Sequence, residues 1–381
     1  MPSPIRPKVA ILQTYVPQYR VPFFQGLREA LNDLSIDLVL AAGDPGLEDR
    51  GDGFQIEWAT ALNNHELRAL GRRVTYRGSW GDALGADLLI AEDAVGKLDV
   101  FRYFYLRRHR GLPTALWGQG TQRGASMRET KLRARYRSLA DWFFAYTETG
   151  ATNVAESGFS RDRITVVNNT IDTTPLLAAK EILTVSQLSS LRREFDLTEG
   201  HTAVYLGALH ESKRLDFLIR VGDEVASTDP LFRLLVLGGG PERGQVEEAA
   251  ARRPWMTVVG PVFDAKRKTE LITVSDVMTI PAAVGLVAVD SLALGVPILA
   301  THNVKHGPEF DYLKSGVNAL VVSEDISAYS TALRLLIDDE ALRTKLAAGC
   351  LKEASDHTLP AMVEAFASGV SSALDRGRES R

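Results

Sequence analysis

Short apolar runs alternate with amphipathic stretches along the whole chain. The runs occupy residues 9–12, 36–40, 88–90, 114–117, 142–145 and 164–167; after a break they resume at 203–206, 234–237, 257–259, 277–280, 296–299 and 319–322. A strand that is apolar on both faces is buried on both faces, and the intervening helices must supply the cover. The pattern therefore predicts an α/β protein of two doubly wound parallel units in series. Residues 173–200 open on Thr173-Thr-Pro175 and continue through a polar, helix-like stretch with no strand signal, which predicts a linker there. The expected organisation is a first domain at 1–172, a second at 201–358, and a C-terminal helix at 359–381 able to pack back on the first domain, with a frayed tail.

Ligands of open α/β sheets sit outside the carboxyl ends of the strands, so the loops after the apolar runs are where chemistry is expected. Gly207-Ala-Leu-His-Glu-Ser-Lys213 leaves a strand and enters a helix, an arrangement that can place an ammonium beside free helix N–H groups and hold a diphosphate. A solvated turn lysine is the plain alternative. Gly238-Gly-Gly-Pro241 fails the dinucleotide fingerprint, since the third position beyond Gly240 is Arg243. In Pro281-Ala-Ala-Val-Gly285-Leu-Val-Ala-Val-Asp290, Gly285 permits close backbone approach and the next residues start a helix. Asp290, in apolar company, needs a polar partner, either ribose hydroxyls or a structural cap or salt bridge. Glu309, after His306-Gly-Pro308, is less easily explained by turn chemistry than the Asn and Gly residues near it.

At 381 residues the chain is long enough for two cores. Its formal net charge of −4 argues against a nucleic-acid partner, but it hides a lopsided distribution. Between Arg102 and Arg137 stand ten Lys or Arg against Glu129 alone, a local +9 that leaves −13 on the remainder. The single cysteine, Cys350, excludes an internal disulfide and reads as a small apolar residue late in a helix. Residues 9–12 are too short for a signal-peptide core, and no apolar stretch is long enough to span a bilayer. A cytoplasmic protein, able to attach peripherally to a membrane surface, is the expectation.

The ordered series Gly207…Lys213, Gly238-Gly-Gly-Pro241, Val259-Gly-Pro261, Ser275-Asp276, Gly285-Leu-Val…Asp290-Ser-Leu-Ala-Leu-Gly-Val-Pro297, Glu309 and Gly316-Val-Asn318 resembles the C-terminal domain of retaining glycosyltransferase family 4. Tyr15-Val-Pro-Gln-Tyr-Arg-Val-Pro-Phe-Phe24, Asp141-Trp-Phe-Phe-Ala-Tyr-Thr147 and Asn168-Asn-Thr-Ile-Asp172 extend the resemblance to the N-terminal half. It implies the GT-B fold, two facing Rossmann-like domains with a central cleft, and transfer of a sugar from a nucleotide-sugar donor with retention. Lys213 would neutralise the departing diphosphate, with Gln119 the second catalytic candidate. Gly207, His210, Val262, Val284, Gly285, Leu286, Val287, Asp290 and Glu309 would bind the donor, and Tyr15, Gln18 and Arg20 would lie on the acceptor side. No metal and no further cofactor are implied. The acceptor is expected to be a glycan, a lipid-linked molecule or a small molecule.

Three departures qualify this. The first acid of the family's carboxylate pair falls at Ala282, the Arg that accompanies the lysine falls at Ala208, and the N-domain His falls at Gln119. Each missing charged hydrogen bond is worth about 1.5–3 kcal/mol. Either other residues take over, with Arg20, His210, Glu309 and Gln119 as candidates, or the chain is a non-catalytic partner of another transferase. An epimerase or phosphorylase on the same fold is disfavoured by the motif order. The basic stretch 102–137 suits an anionic membrane or an acidic acceptor; the plain alternative is a helix with Phe101, Phe104 and Tyr105 buried and its arginines solvated.

Overall fold

The structure is a computed structural model that describes residues 6–43, 53–69, 72–78, 81–120, 127–302 and 304–379. The chain divides into two compact units, residues 1–172 with 359–381, and residues 173–358. In the first unit β1 (Lys8–Gln13), β2 (Asp37–Gly43), β3 (Thr60–Ala69), β4 (Arg72–Gly78), β5 (Leu88–Glu92), β6 (Thr114–Gly118), β7 (Trp142–Ala145) and β8 (Ile164–Val166) form one sheet in the order 4-3-2-1-5-6-7-8. Its own helices are α1 (Val21–Asp33), α2 (Leu98–Arg108), α3 (Met127–Arg137) and α4 (Glu148–Glu156).

The alternation of β1 shows why its run is apolar throughout. Val9 and Ile11 enter the core beneath Phe23, Phe24, Leu27 and Leu31 of α1, while Ala10 and Leu12 enter the opposite core with Val100 and Phe104 of α2.

The second unit comprises α5 (Thr174–Glu181), α6 (Val185–Glu194), β9 (Thr202–Leu206), α7 (Leu215–Thr228), β10 (Arg233–Leu237), α8 (Arg243–Ala250), β11 (Met256–Gly260), α9 (Ala265–Thr273), β12 (Val277–Ile280), α10 (Val287–Leu294), β13 (Ile298–Thr301), β14 (Ala319–Val322), α11 (Ile326–Asp338) and α12 (Glu340–Ala354). Its strands run parallel in the order 11-10-9-12-13-14. Helix α7 buries Leu215, Leu218, Val221 and Val225 at helical spacing, whereas every residue of α10 after its first is buried.

The last helix, α13 (Leu359–Glu379), belongs to the first unit. Met362, Phe366, Val370 and Leu374 recur every fourth residue and enter that unit's core, where Phe366 stacks on Phe144 with ring centroids 4.2 Å apart.

Two expectations are corrected. The first unit is not wholly parallel: β3 pairs parallel to β2 through Thr60–Leu62, then runs on as an antiparallel partner of β4 from Asn63↔Gly78 to Ala69↔Arg72. Both strands are rich in polar and charged residues, so they lack the doubly apolar signature of the others. Residues 173–200 are not a linker either. Leu176, Leu191 and Leu197 enter the second unit's core, Lys180 Nζ donates to Leu294 O at 2.7 Å, and Thr269 Oγ1 donates to Leu176 O at 3.3 Å. A few widely spaced leucines are enough to dock two short helices, and the polar residues between them conceal it.

Candidate functional site

The order of strands reverses between β9 and β12 in the second unit and between β1 and β5 in the first, and at such switch points the loops diverge and leave room for a ligand. In the second unit the loops after β9 and β12 flank that point. Lys213 ends the turn Glu211–Lys213, and Arg214 (φ +54) then swings the chain into α7. Lys213 Nζ spans the switch point and donates to Ala283 O at 2.7 Å.

The glycine cluster after β10 is explained by close backbone approach. A Cβ on Gly238 would stand 1.8 Å from Gly207 O, and one on Gly240 would stand 2.4 Å from Leu209 O. Gly207 N–H donates to Leu237 O at 3.0 Å and Leu209 N–H to Gly239 O at 2.8 Å, so the ladder continues past the strand ends and fixes the Lys213 loop. His210, half-buried, pairs through Nδ1 with Ser212 Oγ at 2.9 Å. Ala208 is exposed and Ala282 is a buried methyl, so neither supplies charge here. Val262, half-buried, packs on the core after β11; the next residue, Phe263, is 90 % exposed.

The loop 281–286 is fastened from its other side. Val284 N–H donates to His306 Nδ1 at 3.1 Å, His306 Nε2 faces Thr301 O at 2.9 Å, and Gly307 N–H donates to Val284 O at 2.7 Å. A ring nitrogen that accepts from an amide carries no proton, and one that faces a carbonyl must donate, so His306 is the neutral Nε2–H tautomer. Its ring stacks on Phe310 at 3.6 Å. This corrects one expectation: the Val284 amide already has an acceptor in His306. The amides of Gly285, Leu286 and Val287, at the start of α10, meet no acceptor among the described residues. Glu309 is buried, and its Oε2 stands 3.8 Å from where a Cβ on Gly285 would lie.

His306→Phe keeps the stacking on Phe310 and removes both hydrogen bonds, so we expect hydrogen exchange at the Val284 amide to quicken about tenfold, the effect of roughly 1.4 kcal/mol. His306→Asn, whose Oδ1 can take the place of Nδ1, is expected to restore protection. Equal protection in all three proteins would show that the imidazole does not hold this loop.

Asp290 finds its partner in Lys268, whose Nζ lies 2.9 Å from Oδ1, with the Asp side chain only 7 % exposed. Burial pushes the Asp290 carboxyl upward, and the Lys268 ammonium opposes the shift. Of the alternatives open at the sequence level the salt bridge is present, and a ribose hydroxyl would have to share this carboxylate with it.

In the first unit Gln119 is exposed just beyond β6, on a loop held from below. Arg137 donates to Gly120 O and, at 2.6 Å, to Asp93 Oδ2, an ion pair with both side chains at most 3 % exposed. Burial raises the Asp93 carboxyl above its ordinary range, while Arg137 pulls it down. At the β1–β5 switch point, Thr14 Oγ1 donates to Glu92 Oε2 at 2.6 Å and accepts from Lys97 Nζ. Sequence reasoning missed this cluster and Lys268, because the partners are far apart in the chain; it passed over the role of His306, whose bond to Val284 spans 22 residues, and Phe263, a lone aromatic outside the apolar runs.

Tyr15 is half-buried and Gln18 exposed in the turn after β1. Arg20 departs from the acceptor-side expectation. It is 5 % exposed, its Nη2 donates to Asn169 Oδ1, its Nη1 donates to Met362 Sδ at 3.8 Å, and its guanidinium stands 5.1 Å from the Trp117 ring centroid. It binds α13 and the 168–172 segment into the first unit's core.

The basic stretch is also smaller than its count. Arg107 is buried and donates to the carbonyls of Leu84, Ala86 and Pro113 at 2.8–3.0 Å, and Arg137 is consumed by Asp93. Arg123 lies outside the described residues. Phe104 is buried as the amphipathic reading requires, but Tyr105, Leu106 and Leu132 are exposed beside Arg102, Arg110, Lys131 and Arg135. Phe101 lies 4.7 Å from Tyr136, so α2 and α3 adjoin. Among the described residues no helix is long and apolar enough to cross a membrane, and no group of three His, Cys, Asp or Glu could hold a metal ion.

Residues 200–339 match the family model described as glycosyl transferases group 1. A curated relative, the D-inositol 3-phosphate glycosyltransferase of Acidothermus cellulolyticus, is 27 % identical over 234 residues, 57 % of this chain and 50 % of the relative. The match thus spans about half the length of that relative. Solved structures are similar over almost the whole chain. Anabaena HepE in complex with UDP has a TM-score of 0.70 at 15 % identity, covering 96 % of this chain and 100 % of that one. A glycosyltransferase from Rickettsia africae gives 0.69 at 11 % identity, covering 97 % and 99 %. Sucrose-phosphate synthase from Thermosynechococcus elongatus gives 0.67 at 14 %, covering 96 % and 99 %. These likenesses show the fold, two Rossmann-like units, the first with a mainly parallel and the second with a wholly parallel sheet, as in GT-B glycosyltransferases.

Proposed function

We propose that the chain is a retaining glycosyltransferase that moves a sugar from a nucleotide-sugar donor to an acceptor hydroxyl. The observation that carries this reading is Lys213 fastened across the second unit's switch point at Ala283 O, beside the three amides at the start of α10 that meet no acceptor among the described residues. A cation and backbone N–H groups converging on one loop suit a diphosphate.

As the bond between the anomeric carbon and the diphosphate breaks, the acceptor oxygen bonds to that carbon from the same face, its proton passes to the departing diphosphate, and negative charge grows on the leaving group until it is protonated. Lys213 and the Gly285, Leu286 and Val287 amides meet it without an obligatory metal. Gly207 allows the close approach, and His210 borders the same loop. Glu309, an acceptor-only carboxylate beside Gly285, suits sugar hydroxyls rather than phosphate. Val262 and the exposed Phe263 ring border the base, and Asp290, steadied by Lys268, faces the ribose.

Gln119, on its braced loop, is the second catalytic candidate, its side-chain amide able to hydrogen-bond a sugar hydroxyl; Tyr15 and Gln18 remain acceptor-side. The acceptor is a glycan, a lipid-linked molecule or a small molecule such as the phosphorylated cyclitol in the curated relative's name. The exposed cations and apolar groups of α2 and α3 favour a cytoplasmic enzyme in peripheral contact with anionic lipid, each near-surface cation contributing about 1 kcal/mol.

UDP-, GDP- and ADP-linked sugars, offered in turn to the pure protein, are expected to give nucleotide release with at least one, uridine donors being the first to try because HepE was solved with UDP. Neither binding nor turnover with any of them would leave the non-catalytic alternative standing.

A further inference from the structure

At the amino-terminal edge of the first unit's sheet, away from the strand ends that carry Gln119 and Thr14, the last turns of α13 close over the starts of β5, β6 and β7. Gly377 permits this seat, since a Cβ there would lie 2.7 Å from Pro113 Cγ. Beneath lies a pocket of about 290 Å³ that Arg108, Arg163 and Arg376 enter from three separate elements. Its one acid is Asp141, whose Oδ2 already accepts from Thr114 N–H at 2.9 Å and from Thr114 Oγ1 at 3.2 Å.

The plain explanation covers two of these arginines. Arg108 ends α2 and Arg376 is near the end of α13, where a cation offsets the helix dipole, and Arg376 also pairs with Asp162 at 2.8 Å. It does not cover Arg163. That residue ends a short turn leading into β8, stands 4.7 Å from the Phe159 ring centroid, and has its Nε buried with no acceptor among the described residues. A buried guanidinium N–H without an acceptor is costly, and an anion in the pocket would supply one.

We propose that this pocket binds a small phosphate-bearing anion, a phosphate monoester or diphosphate, with Arg163 as its inner contact and Arg108 and Arg376 as its rim. Three guanidiniums from separate elements suit the several oxygens of a phosphate, and the volume leaves room for a small carbon skeleton as well. A bound anion would tie α13 to the sheet and raise the stability of the unit by mass action. The site is independent of the nucleotide-sugar reading and of Lys213.

Calorimetry and thermal melting at physiological salt test it, with three probes: inorganic pyrophosphate, glycerol 3-phosphate, and dihexanoyl-phosphatidic acid below its micelle-forming concentration. At least one probe is expected to bind and raise the melting temperature of wild type and equally of Lys213→Ala, which separates this pocket from any diphosphate site in the second unit. Arg163→Met should weaken that binding tenfold or more. Arg108→Met, on the exposed rim, should weaken it by a smaller factor; it gives up an end-of-helix charge and an exposed 3.3 Å bond to Ser138 O, so the unliganded protein should still fold with a slightly lower melting temperature, and the proposal stays testable if Arg163→Met fails to fold. Response to the short-chain lipid alone would assign a lipid headgroup; response to the free phosphates would assign a soluble metabolite. Absence of any response in wild type, or an undiminished response in both arginine variants, would overturn the proposal.

Discussion

Lys213→Ala is expected to lower kcat/KM for sugar transfer by about two to three orders of magnitude, the usual effect of removing one preorganised donor from a developing charge. The loss should fall more on kcat than on donor KM, because the charge on the leaving diphosphate is greatest in the transition state. Little in the loops can compensate. The positions where the resembled family carries an arginine and a first carboxylate are Ala208, which is exposed, and Ala282, a buried methyl. Since Lys213 also holds Ala283 O at 2.7 Å, the variant should bind nucleoside diphosphate more weakly as well. The melting temperature should change little, because the side chain lies at the end of a surface turn. Near-normal turnover would place the diphosphate elsewhere.

The largest effect on stability is expected from Arg137→Leu. This strands the Asp93 carboxylate, 2 % exposed, and takes a donor from Gly120 O. Leaving one member of a buried pair uncompensated costs about 3–5 kcal/mol. The pH dependence has a definite sign. Burial raises the folded pKa of Asp93 even with Arg137 present, and removing Arg137 deletes the opposing influence and raises it further. The folded state then binds more protons than the unfolded one, so the variant loses stability as pH rises from the ordinary carboxylate range through the folded pKa and regains it as pH falls back. Urea denaturation at pH 7.5 and at pH 5.5 should show the smaller deficit at the lower value. Arg137→Leu combined with Asp93→Leu should recover much of the loss. Equal deficits at both pH values and no recovery in the double variant would mean that packing, not the stranded charge, sets the cost.

Two features of this pair bear on the candidate site. It braces the loop carrying Gln119, and it takes one arginine out of the basic stretch counted along the chain. Arg107 and Arg20 repeat the lesson, each burying a guanidinium in the first unit's core where a linear reading sees a surface cation. Long cationic side chains can reach inward to carbonyls and aromatic rings, and nothing in the local sequence says which will do so. Cys350 shows the opposite case: a small apolar role was legible, and the thiol is buried, donates to Asn318 O, and is pushed up to about 12 by burial.

The amino-acid sequence by itself determined the twelve apolar strands, their parallel, doubly wound character and the loops in which Lys213, Gly285 and Glu309 would fall. Burial on both faces leaves an unbroken apolar run that needs no knowledge of partners. Only the tertiary structure decided the rest. The polar β3–β4 hairpin, the docking of α5 and α6, the neutral His306 that fastens Val284, and the pairing of Asp290 with Lys268 each join residues distant in the chain through hydrogen bonds or sparse apolar contacts. Such contacts are specific in space and leave no period in sequence, so they become visible only when the chain has folded.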